Sequence, residues 1–179
     1  MRKIKSNFFI SLDGVVESPD QWHFPYFDDE MGAAVERVWE LWADPRQLER
    51  WWGPPTYPAT VETHDLTVGG EVTYVMTGPE GEQSRGWWRI TSVDPPTALE
   101  FTDGFANRDG TPNAATPTTD VRMRLTERDG GTRMELRFVF ASSEHMQRLE
   151  RQGAFEVFPR SVGQMDALLN DDNPAREAL

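Results

Sequence analysis

The chain has 179 residues, 37% hydrophobic and 11% aromatic, which suits one packed domain and argues against disorder. A formal net charge of −12 repels phosphate backbones and anionic lipid, which argues against nucleic-acid and membrane partners. Cysteine is absent, removing disulfides, thiolate catalysis and thiolate metal sites.

Met1–Ile10 carries basic residues but no apolar run of signal-peptide length. No segment could span a bilayer, so the cytoplasm is the expected compartment. Lys5–Leu12 places Ser6, Phe8, Ile10 and Leu12 on one face, as a strand does. A helix is expected to begin at the acidic pair Asp28-Asp29, which the helix dipole favours, and to run to Ala43. Within it Val35, Val38, Trp39 and Trp42 form an amphipathic stripe. Asp44 suits an N-cap and Pro45 the first turn of a second helix, Pro45–Trp52, which stops at Gly53-Pro54-Pro55. Trp39, Trp42, Trp51 and Trp52 read as packing groups for these helices rather than ligand contacts.

An antiparallel meander follows. Thr60–Val68 and Glu71–Thr77 flank Gly69-Gly70, and Gly78-Pro79-Glu80-Gly81 turns the chain again. Ser84–Val93 holds Trp87 and Trp88 on opposite faces, with Trp88 and Ile90 assigned inward. Asp94-Pro95-Pro96 ends it, since neither proline donates to a ladder. Leu99–Phe105 is the next strand, and the polar run Asn107–Thr119 reads as a long loop at the sheet's mouth. Val121–Thr126 and Met134–Phe140 alternate with period two around the turn Arg128-Asp129-Gly130-Gly131, giving a hairpin with a wet arginine face. Ser142-Ser143-Glu144 opens a last helix towards Asn170, interrupted at Gly153 and Pro159. Phe155, Phe158, Val162, Met165 and Leu169 share one of its faces.

Catalytic motifs are missing. Neither a GxSxG elbow nor an HExxH pair occurs, and His23, His64 and His145 lack metal-ligand spacing. His64-Asp65 could act as a base pair, but neighbours on a strand point to opposite faces. No catalytic residue, metal or cofactor is assigned.

From Val38 to Leu169 the chain carries, in order, WELWADP, RWWGP, DLTVGG, GPEG, VDPP, LEFTD, GGTRMEL and SVGQMDALL. This series resembles the SRPBCC/START-like superfamily, and within it the activator of heat-shock protein 90 ATPase homologues. The resemblance implies an α+β helix-grip fold. In it a curved antiparallel sheet wraps around a long C-terminal helix, two short helices follow the first strand, and an apolar cavity lies between sheet and helix. Residues 1–34, with KSNFFISLDGVVESPDQWHFPYFDDEMGAA, resemble instead the opening of dihydrofolate reductase-like proteins related to the riboflavin-biosynthesis reductase domain. So short a fragment cannot build a dinucleotide site, so no reductase activity is assigned. It is expected to supply the first strand and helix start to a START-like domain over 35–170, the alternative being a disordered or domain-swapped extension, ahead of a frayed tail at 171–179.

On that fold the inward rows Tyr74, Met76, Trp88, Ile90, Phe101, Phe105, Met123 and Phe138 face Phe155, Phe158 and Val162 of the helix. Alternation alone fits a ligand pocket and a dry core equally. The resemblance favours the pocket, with Tyr74 and Asp103 as its orienting polar groups. The expected function is non-enzymatic binding of a small apolar or aromatic molecule. One alternative is a polyketide cyclase-like enzyme using Asp103, Tyr74 or His64. Another is a chaperone ATPase activator. An exposed edge strand would also suit a homodimer.

Overall fold

The computed structural model describes residues 5–12, 27–128 and 131–171. The chain runs from β1 (Lys5–Leu12) through α1 (Phe27–Ala43) and α2 (Pro45–Glu49) into a meander. The meander comprises β2 (Ala59–His64), β3 (Glu71–Thr77), β4 (Gln83–Asp94), β5 (Ala98–Ala106), β6 (Thr119–Arg128) and β7 (Gly131–Phe140). Three short helices follow, α3 (Ser143–Arg151), α4 (Ala154–Val162) and α5 (Gln164–Asp171). Among the described residues the strands make one curved antiparallel sheet in the order β1-β7-β6-β5-β4-β3-β2. Each meander strand pairs with its sequence neighbour because tight turns leave no length for a crossover. β1 joins the far edge, running antiparallel to β7 from Lys5 opposite Val139 to Leu12 opposite Thr132.

Local chemistry explains the boundaries. Asp44 caps α2 by accepting from the Arg46 N–H at 2.7 Å, and Pro45 occupies the first turn, where its missing donor costs nothing. α2 is shorter than its expected span to Trp52, because the chain after Glu49 tightens into a turn that carries both tryptophans. β2 also ends early, at His64 rather than Val68. Asp65 diverts the chain there: its Oδ1 accepts from the Thr67 N–H at 2.9 Å and hydroxyl at 2.7 Å. Those bonds hold the Asp65 carboxyl below its usual pKa. Gly69 then takes φ +86°, a region side chains rarely adopt. Arg128 pairs with Gly131 across the β6–β7 hairpin, whose tip, Asp129-Gly130, lies outside the described residues.

The C-terminal rod is not one helix. It breaks first at Gln152-Gly153, where Gly153 takes φ +79°, and again at Gly163. Pro159, expected to interrupt it, lies inside α4, which continues through it to Val162 although the proline has no N–H to give the helix.

The core sits between the concave sheet face and the helices. Val121, Met123 and Leu125 of β6 and Met134 and Leu136 of β7 are buried, while Arg122 and Arg124 face solvent. α1 packs its Val35, Val38, Leu41 and Trp42 stripe on this surface. Around Trp42 the indoles interlock: Trp42–Trp51 centroids lie 4.7 Å apart and Trp52–Trp88 4.6 Å, both edge-to-face. α5 closes the far side through Met165 and Leu168, and is tied to the tryptophan turn by Gln164, whose Nε2 donates to the Gly53 carbonyl at 2.8 Å and to that of Trp51 at 3.2 Å.

Candidate ligand-binding site

Where α3 and α4 cross the open end of the sheet, the packing does not close. A cavity of about 170 Å³ remains there. Its floor is Asp103 and Phe105 of β5, with Thr119 and Val121 of β6 and Phe138 and Phe140 of β7 beside them. His145 and Leu149 of α3 and Ala154, Phe155 and Phe158 of α4 roof it, and Trp52 forms the inner wall. The rings meet edge-on: Phe138–Phe158 at 5.1 Å, Trp52–Phe158 at 6.0 Å and Phe140–Phe155 at 6.1 Å.

Five of the residues assigned inward therefore line the cavity: Asp103, Phe105, Phe138, Phe155 and Phe158. Trp88, Ile90, Phe101, Met123 and Val162 lie below it in the packed core, none more than 1% exposed. Met76 leans on that core from the side, half-buried. Tyr74 is buried behind Asp103 and reaches the cavity only through it, donating its hydroxyl to Asp103 Oδ1 at 3.2 Å. Trp52 corrects an expectation, for it is a wall of the cavity as well as a packing group. His145 and Leu149 escaped the sequence reading because they precede the apolar face that was traced. Their i and i+4 spacing at the start of the last helix was the available signal.

Asp103 is the polar centre of this space. Burial raises its pKa to about 6, partly opposed by the Tyr74 hydroxyl and the nearby Trp88 indole. The Trp88 N–H points to this carboxyl without completing a hydrogen bond among the described residues. Burial, and then the charge of Asp103, push the Tyr74 phenol well above its ordinary value, so it remains a donor. His145 is 4% exposed, stands edge-on to Phe140, and is held below the usual imidazole pKa by burial and by Arg148. It is neutral at physiological pH. His64 is engaged elsewhere, its Nε2 lying 3.0 Å from the Trp42 carbonyl. Among the described residues, no group of histidine and carboxylate side chains could hold a metal ion.

A seven-stranded sheet closed over by terminal helices, with an apolar space beneath them, defines a helix-grip protein of the SRPBCC/START-like class. The chain belongs to the family of Activator of Hsp90 ATPase homolog 1-like proteins, whose family model matches residues 32–170. Among solved structures it is similar to protein Ms6760 from Mycobacterium smegmatis, with 49% identity, 75% of this chain and 83% of that one covered, and a TM-score of 0.70. It is also similar to a protein from Arthrobacter aurescens, with 47% identity over 77% of this chain and 80% of that one, and a TM-score of 0.74. An AHSA1 protein from Silicibacter pomeroyi shares the fold at 24% identity, covering 78% of this chain and 92% of its own, with a TM-score of 0.61. No curated protein matches the chain. No helix among the described residues is long and apolar enough to cross a membrane.

Proposed function

We propose that the protein binds a small aromatic or apolar molecule in the cavity between β5–β7 and the helices α3 and α4. The observation that carries this reading is the cavity itself: about 170 Å³, walled by aromatic rings, with one carboxyl group on its floor. Apolar cavities of about 150 Å³ admit benzene. The space is small beside a drug-sized site of roughly 300 Å³ or more, so one ring fits and a longer molecule must protrude. Tryptophan fluorescence titrated with toluene tests it, since Trp52 forms the wall. Ala154→Phe fills the space from the roof. Saturable quenching in the wild type that the filled variant lacks is expected. Equal quenching in both rejects the cavity as the site.

Asp103 supports a second reading, an acid–base enzyme using the same space, because a carboxyl of pKa about 6 can both give and take a proton near neutrality. Binding without turnover distinguishes the two.

A further inference from the structure

The cavity opens at its outer end. Phe105, Pro117, His145 and Leu149 line both it and a wide polar groove of about 750 Å³. The two spaces adjoin along these four residues. Three guanidinium groups, Arg85, Arg108 and Arg148, border the groove with a single carboxylate, Glu82. One of these charges is already matched, since Arg85 pairs with Glu62 at 2.7 Å, while Glu82 accepts from the Tyr57 hydroxyl and keeps its charge. Arg108 and Arg148 have no ion pair among the described residues.

Both free arginines have fixed backbones. Arg108 stands on the β5–β6 loop, which Asn107 closes by donating its N–H to the Thr111 carbonyl at 2.8 Å, while Asp109 accepts from the Thr111 N–H at 3.0 Å. Arg148 follows His145 by one turn of α3. At the inner end, Asp103 Oδ1 is occupied by Tyr74, and Oδ2 accepts from no described residue.

Resting on the cavity reading above, we infer that the ligand is a hydroxyaryl carboxylic acid. Its ring lies in the cavity, its carboxylate in the groove on Arg108 and Arg148, and its hydroxyl donates to Asp103. A guanidinium fork matches a carboxylate in shape and charge, and a carboxylate acceptor takes an O–H donor. The reverse orientation would set the ligand's carboxylate against Asp103 in an apolar space, where like charges repel most strongly.

Calorimetric titration with three matched compounds tests this: para-hydroxyphenylpropionate, phenylpropionate and para-hydroxyphenylpropanol. The first should bind about fivefold or more tighter than either analogue, the gain of one partly exposed charged contact or one hydrogen bond. Arg108→Ala and Arg148→Ala should each weaken the acid more than the alcohol and so reduce the preference between them. Arg46→Ala, an exposed change on α2, should keep it. Equal wild-type affinity for acid and alcohol, or a preference that survives both substitutions, overturns the arginine contact and leaves the cavity reading standing. Equal affinity for the acid with and without its hydroxyl overturns the inner contact. Failure of all three compounds to bind overturns this inference, while toluene quenching and its loss in Ala154→Phe still decide the cavity reading.

Discussion

Tyr74 reaches Asp103 because the residue beneath its ring has no side chain. A Cβ on Gly86 would lie 2.3 Å from Tyr74 Cζ and Oη, far inside van der Waals contact. Gly86→Val should therefore push the phenol aside and lower stability by about 1–3 kcal/mol, the usual penalty of overpacking, read by urea denaturation. Asp103 makes a second prediction. Its folded pKa is raised from 3.8 to about 6, so the fold favours the protonated form. That stabilisation is complete below 3.8 and is lost as pH climbs through about 6. Wild type should lose about 1–2 kcal/mol relative to Asp103→Asn across that window, after solvent screening at this half-buried site, measured as melting temperature against pH. Alternation within LEFTD shows that Asp103 faces inward with Phe101. The phenol that meets it, 29 positions earlier, is not legible without the β3–β4–β5 register. Trp52 poses a related problem: a tryptophan that packs and one that walls a cavity look the same in sequence, and only the unfilled space beside it distinguishes them.

At the scale of elements, turns and caps were legible and helix ends less so. Asp44 and Ser142 each place a side-chain acceptor for a backbone N–H at a helix start, and Gly69 supplies the backbone angle its turn needs. The terminal helices were harder, since Pro159 advertises a break more loudly than Gly163, which makes one. Gln164, directly after that break, holds α5 to the tryptophan turn from more than a hundred residues away. Gln164→Ala should cost about 1–2 kcal/mol by urea denaturation, the price of leaving part-buried carbonyls unpaired. An unchanged midpoint would show that the turn is held by ring packing alone. β1 lies before the family match begins at residue 32, yet pairs with β7 along its length. Its alternating face was enough to mark it as a strand. Its neighbour was not legible, because partner choice depends on how the whole meander closes.

Over the whole molecule, the ordered series of turn motifs between Val38 and Leu169 carries the fold, while the remaining space depends on side-chain volumes no motif records. Apolar rows from six strands could have met the helices and left nothing. They meet below Trp88 and Phe101 and part above Asp103, where α3 and α4 diverge around Gly153. The proposed binding function rests on that gap. The most direct measurement is backbone amide chemical-shift mapping of the protein titrated with para-hydroxyphenylpropionate. Saturable shifts centred on Asp103, Phe105, Thr119, Phe138, His145 and Phe158 are the predicted result. Shifts confined to another surface, or none at millimolar ligand, would contradict the account.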